Sequence, residues 1–535
     1  MKRVKSSVNL LGLSLATMLV ALLLVACGET ATPATTSAAA VATTTSSAAA
    51  TTAAAAATTT TSAATTTAAA ATTTTAVGAA TTASAATTVA GGAVAPAPTI
   101  TPLPPIAQPA GSIKITFWYG LTGANGNVVR QVVNKYNSSQ SKYYVDAISQ
   151  PDYDSTINKL NTSLAGGALP NVVQIYDVGT QRMIDTKRIM PVQDFIDKEK
   201  LDLINDLEPA VRNYYTINNK LYSMPFNSSA PVMYFDKNAF KEVGLDPGKK
   251  IWTYDEVLDA ATKLTKKDAS GKVTRYGADF TIYSWIFEQE LAAQGATFAD
   301  PANGRQGRAN KLVFNNDAGA NWLNFLKKML DAGVGHSDGR DSGTTNGSTR
   351  DTNFVTGAGA ITFNSIAALR GYVASAASNG GKVDVGVAYL PRPTGAKGGV
   401  IIGGASLWIT DQGNADQQAA AWDFTKFTAQ PDIQAFWSSN TGYYPIRKAS
   451  YNVQEMKDTL AKYPQFNTAV EQLRATEASP ATAGATFGTF TATRLNIEAS
   501  MEQFFTGKVA TAKDALNQAA SKSNDALDEY NSTVK

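Results

Sequence analysis

Strand-like and helix-like segments alternate along the chain from residue 112 onward. Three runs rich in β-branched and aromatic residues are typical of strands, at residues 113–118, 143–148 and 171–176. Between the first two, apolar residues recur at helical spacing, namely Val129, Val132, Val133 and Tyr136. Strands that alternate with helices predict a mostly parallel sheet with helices on both faces, which is the α/β class. Ligands of such sheets bind beyond the carboxyl ends of the strands.

Other local signals predict where individual elements begin and end. The residues TYDE at 253–256 have the pattern of a capping box, so we expect a helix to begin there. The amphipathic run at 415–428 predicts another helix. Residues 400–402 predict a short strand that stops at the glycine pair 403–404.

Residues 1–27 have the features of a bacterial secretory signal peptide. A basic start precedes an apolar stretch at residues 10–25. Residues 24–27 (LVAC) resemble the lipobox of bacterial lipoproteins, in which the signal is cleaved before the cysteine and the thiol is lipidated. We therefore expect Cys27 to carry a lipid anchor; a plain signal peptide with an incidental cysteine is the alternative.

A segment of biased composition, residues 28–111, separates the signal peptide from the rest of the chain. It is almost wholly Ala, Thr and Ser at first and becomes proline-rich at residues 96–105. Such a sequence buries too little apolar surface to offset the entropy of ordering it. We predict a flexible tether that ends in a stiffer polyproline segment. The residues from 112 to the end exceed one ordinary core, so two lobes are expected.

Charge and composition exclude several classes of protein. The formal net charge of +3 falls to 0 (3 − 3) once Lys2, Arg3 and Lys5 leave with the signal peptide. A chain without a basic excess lacks the electrostatic character of a nucleic-acid binder. Cys27 and His336 are the only cysteine and histidine, which excludes a disulfide, a Cys/His zinc cluster and a Cys–His dyad. His336 is expected to lie in a surface loop.

Motifs of catalysis and of cofactor binding are absent from the sequence. There is no Walker A motif, no H-E-x-x-H, no G-x-S-x-G and no G-x-G-x-x-G after a strand. Residues 338–351 have the acid, Asn and Gly content of a calcium loop but not its spacing. We therefore predict no cofactor, no metal and no catalytic residue.

The middle of the chain contains an unusual combination of residues. Asn227, Ser228 and Ser229 interrupt a long apolar run, and this stretch (PFNSSAPVMYFDKNAFKEVGLDP) is followed by WTYDEVLDAATKL. Together the two segments resemble the central part of the extracellular solute-binding proteins of ABC importers. Four further segments resemble the sn-glycerol-3-phosphate-binding branch, and they lie at residues 174–180, 401–409, 441–446 and 492–508. The resemblance covers residues 112–535.

The resemblance implies a periplasmic-binding-protein fold, in which two α/β lobes close over a ligand like a clam shell. Lobe 1 would consist of residues 112–227 plus 402–448, and lobe 2 of residues 228–401 plus 449–535. The chain would cross between the lobes near residues 225–231. The three polar residues at 227–229 would then lie at the hinge and face the ligand cleft, as a small-polyol site requires.

The resemblance also implies a set of ligand contacts. Tyr153 would contact the ligand through its hydroxyl. Asp177 would accept hydrogen bonds from the glycerol hydroxyls, and it departs from the glutamate of the branch by being one methylene shorter. Tyr443 and Arg494 would clamp the phosphate, because a guanidinium presents two aligned donors to phosphate oxygens. The other hydrogen-bond donors would be Ser229, Ser365 and the backbone N–H of Gly404. We also expect Trp285 to pack one face against the glycerol carbons.

These expectations combine into a functional hypothesis. The chain would be a monomeric, non-enzymatic, lipid-anchored, extracytoplasmic substrate-binding component of an ABC importer. It would deliver sn-glycerol-3-phosphate or a glycerophosphodiester to a membrane permease. An oligosaccharide of the maltodextrin type is the alternative ligand, since related binders share the central motif. A tethered glycan-active enzyme with two cleft acids and a purely structural lipoprotein are alternatives from other classes.

Overall fold

The computed structural model of the chain describes residues 104–340 and 348–534. The signal peptide, Cys27 and the tether up to residue 103 lie outside these residues, so the predictions made for them stay predictions. Within the two described segments, no helix combines the length and the apolar character that crossing a bilayer requires.

The described residues contain sixteen strands and seventeen α-helices. The strands are β1 (Ile113–Tyr119), β2 (Tyr143–Ser149), β3 (Val172–Tyr176), β4 (Ile189–Met190), β5 (Thr216–Ile217), β6 (Lys220–Leu221), β7 (Met224–Ser229), β8 (Pro231–Asp236), β9 (Lys266–Lys267), β10 (Val273–Asp279), β11 (Ala299–Asp300), β12 (Lys311–Leu312), β13 (Gly335–His336), β14 (Gly359–Ser365), β15 (Val385–Tyr389) and β16 (Gly403–Thr410). The helices are α1 (Gly123–Ser139), α2 (Tyr153–Gly166), α3 (Thr180–Asp185), α4 (Val192–Glu199), α5 (Pro209–Tyr215), α6 (Lys237–Glu242), α7 (Tyr254–Leu264), α8 (Ser284–Ala293), α9 (Asp317–Asp331), α10 (Thr349–Thr356), α11 (Leu369–Ser378), α12 (Ala415–Thr428), α13 (Pro431–Asn440), α14 (Gln454–Lys462), α15 (Asn467–Arg474), α16 (Phe490–Phe505) and α17 (Ala512–Thr533).

The first large sheet is built from the amino-terminal βαβαβ unit. Its strand order is β2-β1-β3-β16-β4, and β7 also pairs with β16. Strands β1, β2 and β3 run parallel, as the alternating sequence predicts. Strand β16 is antiparallel to β3, and the chain returns to this sheet only after it has built the second one.

The second large sheet has the order β13-β10-β14-β8-β15, with β9 paired to β10. Strand β10 is parallel to β13 and β14, whereas β8 is antiparallel to both of its neighbours. Every residue of β8 and β14 is buried, so both faces of these central strands are covered.

The chain passes from one sheet to the other within a single residue. Strand β7 belongs to the first sheet, β8 belongs to the second, and only Ala230 separates them. The carbonyl oxygen of Ala230 accepts a hydrogen bond from the Ile366 N–H at 2.9 Å, which ties the crossing to the end of β14. The crossing lies within the predicted range, and the residue boundaries proposed for the two lobes stay a prediction.

Aromatic pairs pack beside both sheets within one continuous hydrophobic core. Beside the first sheet, the fully buried Trp437 packs on Phe226 of β7 with ring centroids 4.7 Å apart. Beside the second, Tyr254 stacks on Phe325 with centroids 4.3 Å apart. Buried aromatic pairs contribute area burial and about 0.5–1.5 kcal/mol of specific interaction each.

Two of the local predictions are confirmed and two are wrong. The capping box at Thr253 and Glu256 and the helix at 415–428 are confirmed. The strand predicted at 400–402 is wrong: β16 begins at Gly403, because the glycine pair hydrogen-bonds along β7 opposite Ser229 and Ser228. The surface loop predicted for His336 is also wrong, since this residue lies in β13 with its Nδ1 3.3 Å from Asp279 Oδ1.

Candidate ligand-binding cleft

A cavity of about 300 Å³ takes its wall residues from elements of both sheets and from the helices packed on them. This volume is at the lower end of those that hold small ligands. All eight residues predicted from the sequence lie on the wall of this cavity, namely Tyr153, Asp177, Ser229, Trp285, Ser365, Gly404, Tyr443 and Arg494. These residues are separated by as many as 341 positions in the sequence (494 − 153), so only the fold brings them together.

Strand ends supply part of the wall. Asp177 directly follows β3, while Ser229 and Ser365 are the last residues of β7 and β14. Residues at such ends converge on one edge of each sheet, which is where α/β sheets bind ligands. The Ser365 side chain also caps the turn that follows it, accepting a hydrogen bond from the Ala367 N–H at 3.2 Å.

The three polar residues at the hinge have different roles. Ser229 reaches the cavity wall, but Ser228 is fully buried and pairs through its backbone with Tyr444. The Asn227 amide donates to the Tyr153 hydroxyl at 2.8 Å and so orients that tyrosine. The expectation that all three face the cleft is therefore wrong. Successive side chains of a strand point to opposite faces, which separates Ser228 from its neighbours.

Arg494 is held by two carboxylates rather than standing alone. Its Nε donates to Glu288 Oε1 at 2.6 Å, and its Nη2 donates to Glu288 Oε2 at 3.0 Å and to Asp177 Oδ2 at 3.2 Å. The Arg494 Nη1 has no hydrogen-bond partner among residues 104–340 and 348–534. The guanidinium is therefore oriented before any ligand arrives, with one nitrogen uncommitted.

Glu288 is the residue of this cluster that sequence reasoning missed. It lies on α8, whose residues are all buried, three positions after Trp285 and therefore one helical turn away. A glutamate inside the apolar run SWIFEQELAA was the available signal, because a buried carboxylate needs a charged or hydrogen-bonding partner. The partner could not be identified from sequence, since Arg494 lies 206 residues further on.

Burial changes the ionisation of this cluster. It raises the pKa of Glu288 to about 7, although the adjacent Arg494 opposes this shift; the negative charge of Asp177 adds to it. Burial likewise raises the pKa of Asp177, against the opposing effect of Arg494. Burial alone would lower the pKa of Arg494, but Glu288 and Asp177 raise it well above its ordinary value, so the guanidinium stays charged.

Acidic groups outnumber basic groups around the cavity. Arg494 is the only lysine or arginine among the described residues that line it. Four carboxylates share the wall, namely Asp152, Asp154, Asp177 and Glu498, and Glu288 lies against Arg494. Three of the wall carboxylates are engaged locally: Asp152 caps α2, Asp154 accepts from the Tyr176 hydroxyl, and Glu498 accepts from Ser284.

The glycine pair of β16 is required by close packing. A Cβ on Gly404 would lie 1.8 Å from the Asn227 carbonyl oxygen, and its φ of +103° disfavours other residues. A Cβ on Gly403 would lie 2.4 Å from the Trp285 ring. The backbone of β16 therefore approaches the hinge strand and the cavity wall more closely than any side chain would allow.

Residues 131–468 match the family model described as bacterial extracellular solute-binding protein. The chain belongs to this family. Among its relatives is the sn-glycerol-3-phosphate-binding periplasmic protein UgpB of Escherichia coli K12, 30% identical over 79% of this chain and 94% of the relative. The UgpB of Yersinia enterocolitica is also 30% identical, with the same coverage.

Solved structures share the fold of this solute-binding protein. UgpB from Mycobacterium tuberculosis, in complex with glycerophosphocholine, has a TM-score of 0.64 at 22% identity and covers 78% of this chain and 100% of its own. The cyclic α-maltosyl-1,6-maltose binding protein from Arthrobacter globiformis has a TM-score of 0.59 at 21% identity, covering 78% and 99%. The two-lobe α/β fold and the extracytoplasmic, non-enzymatic transport role expected from the sequence are confirmed.

Proposed function

We propose that this solute-binding protein captures sn-glycerol-3-phosphate or a glycerophosphodiester and delivers it to the permease of an ABC importer. The observation that carries the proposal is the convergence of eight distant residues on one small cavity with a single buried arginine. The relatives at 30% identity are named as sn-glycerol-3-phosphate-binding proteins, and one structural neighbour holds glycerophosphocholine.

The proposed contacts follow from the chemistry of each wall residue. The free Nη1 of Arg494 and the Tyr443 hydroxyl would bind phosphate oxygens, since charge-assisted hydrogen bonds are the strongest available. The hydroxyls of Ser229 and Ser365 would complete the set of donors. Trp285 would cover the glycerol carbons. Closing the lobes would remove water from the cleft and strengthen these electrostatic contacts.

Lipid anchoring through Cys27 is part of the proposal. The residues LVAC resemble a lipobox, and the Ala/Thr/Ser-rich segment that follows is long enough to hold the binding domain away from a membrane. Mass spectrometry of the amino-terminal peptide should then show a chain that begins at a lipidated Cys27, whereas a Cys27→Ser variant should carry no lipid and keep residues 1–26. An unlipidated Cys27 in the unmodified chain would contradict the anchor and leave the binding function untouched.

Ligand binding can be tested by thermal unfolding of the purified protein. The ligands are sn-glycerol-3-phosphate, glycerophosphocholine, maltose and inorganic phosphate, added separately. A ligand present at about a hundred times its dissociation constant stabilises the folded state by about 2.7 kcal/mol. We expect a rise in Tm with one or both glycerophosphate compounds, and no shift with any of the four would refute the proposal.

The role of Arg494 needs a variant that keeps the buried charges balanced. The double variant Arg494→Gln/Glu288→Gln replaces an ion pair by two amides of similar size, so the net charge of the cluster is unchanged and Glu288 is not left as an unpaired buried charge. Asp177 loses its contact with Arg494 but keeps the backbone hydrogen bond from Val178. The double variant should lose the response to glycerophosphate compounds. Arg188→Gln removes an exposed arginine that pairs with Asp411 at 2.6 Å and does not line the cavity, and it should keep the response.

An oligosaccharide remains a second candidate ligand because of two observations. Arg494 is already paired with Glu288 and Asp177, and the cavity wall carries several aromatic residues, as sugar sites do. The Arthrobacter globiformis neighbour is named as a maltose-type sugar binder. A rise in Tm with maltose alone would favour this candidate over the glycerophosphate ligand.

A further inference from the structure

Most of the hydrogen-bonding capacity of Arg494 is already used inside the protein. A guanidinium has five N–H donors. Three of them, on Nε and Nη2, are directed to the carboxylates of Glu288 and Asp177. The two donors on Nη1 remain for a ligand. One nitrogen with two N–H groups can bind one or two phosphate oxygens but cannot present the full bidentate fork of a free arginine.

The charge of the cluster is also largely cancelled before a ligand enters. Asp177 and Glu288 both contact the single positive charge of Arg494 and are themselves almost completely buried. When Glu288 is ionised, the three side chains together carry one net negative charge. When it is protonated, they are neutral. In neither state does the cluster offer the excess positive charge that two phosphate charges require in a water-poor cleft.

We propose that Glu288 is a specificity-determining residue that selects ligands with a phosphodiester group, carrying one negative charge, over phosphomonoesters carrying two. This inference rests on the proposed function and assigns the ligand charge that the cleft accepts. Glu288 acts in two ways. It holds Nε and Nη2 of Arg494, and it places its own negative charge against the guanidinium whose Nη1 would bind the phosphate. A second phosphate charge is therefore repelled more strongly than it is attracted.

The same geometry couples ligand binding to a proton. Glu288 faces Arg494 and Glu498 on α16, Asp177 after β3 and Tyr214 on α5. A phosphate bound at Nη1 adds a further negative charge to this set, which makes protonation of Glu288 more favourable. Binding of a phosphodiester near pH 7 should therefore take up a fraction of a proton. A phosphodiester has no ionisation of its own near this pH, so the proton must come to the protein.

Isothermal titration calorimetry tests both consequences. Glycerophosphocholine and sn-glycerol-3-phosphate are titrated into the protein at pH 8, where the monoester is a dianion. Wild type should bind the diester more tightly, and Glu288→Gln should shift the affinity ratio toward the monoester by about tenfold or more, since it removes one buried charge. Glycerophosphocholine is then titrated at pH 7 in buffers of different ionisation enthalpy. Wild type should take up protons and Glu288→Gln should not.

Two control variants separate this role from general effects. Glu498→Gln removes a wall carboxylate that does not hydrogen-bond to Arg494, and it should change the affinity ratio much less. Glu290→Gln changes a second buried glutamate of α8, whose partner is the Tyr254 hydroxyl rather than a cavity residue. It should leave both the ratio and the proton uptake as in wild type.

The outcomes distinguish this inference from the proposed function. If wild type binds a glycerophosphate compound but Glu288→Gln keeps the same affinity ratio, the role of Glu288 is wrong and the proposed function stands. Absence of proton uptake by wild type at pH 7 overturns the inference as well, and this measurement needs no variant to fold. If wild type binds neither compound, the proposed function itself is wrong.

Discussion

The buried Glu288 should make the stability of the ligand-free protein depend on pH. Its pKa rises from an ordinary value of 4.5 to about 7 in the folded protein, mainly because of burial. The folded state therefore holds this proton more tightly than the unfolded state does. The stabilisation is fully present below about pH 4.5 and is lost as the pH rises through 7.

The size of the effect follows from the shift. Each pKa unit corresponds to about 1.4 kcal/mol of differential stability, so a shift of about 2.5 units gives at most about 3.5 kcal/mol. Most of this, about 2 kcal/mol, should disappear between pH 5 and pH 7. Because Glu288 is almost completely buried, solvent screening reduces this figure less than it would for a surface pair.

Denaturant unfolding of wild type and Glu288→Gln, followed by tryptophan fluorescence at pH 5, 6, 7 and 8, measures the effect. The quantity of interest is the difference in unfolding free energy between the two proteins at each pH, because other titrating groups affect both. Wild type should lose about 2 kcal/mol relative to the variant between pH 5 and 7. Parallel curves would refute the reasoning, since they would show that Glu288 titrates alike in the folded and unfolded states.

Two further predictions concern the cavity wall. The hydroxyl of Ser229 makes no hydrogen bond to the described part of the protein, so Ser229→Ala should weaken ligand binding by about 1 kcal/mol in calorimetry with little change in Tm. Ser365→Ala should also lower the Tm, because the Ser365 hydroxyl accepts a hydrogen bond from the Ala367 N–H. An equal Tm for both variants would contradict this contrast. Gly404→Ala should destabilise the protein by about 3 kcal/mol or more in denaturant unfolding. The reasons are the positive φ of Gly404 and the close contact that a Cβ would make with Asn227. A change below about 1 kcal/mol would show that β16 and β7 separate easily.

Elements controlled by nearby residues could be predicted from the sequence. The helix at 415–428 and the capping box at 253–256 depend on side chains within a few positions of one another, and both are confirmed. The glycine pair 403–404 was misinterpreted as the end of a strand. Glycine disfavours strands locally, but here the absence of side chains lets β16 lie against β7, which is a contact between distant segments.

The candidate site was predictable to the extent that its motifs resemble those of a known family. All eight residues named from the sequence reach one cavity, and five of them lie in the matching segments, namely Asp177, Ser229, Gly404, Tyr443 and Arg494. Motif matching could not reveal that Asn227 holds Tyr153 or that Ser228 points away from the cleft. It also could not reveal Glu288, because no short motif connects α8 with α16.

The sequence by itself determined the α/β class, the order of the first strands and helices, and the residue types available for binding. These depend on local periodicity and on side-chain chemistry, which a linear sequence contains. Only the tertiary structure decided the charge of the site. The sequence predicts that Arg494 binds phosphate, but folding brings Glu288 and Asp177 within hydrogen-bond distance of it. Because these side chains are buried together, their ionisation is coupled. A ligand therefore interacts with the net charge of the cluster rather than with the arginine alone.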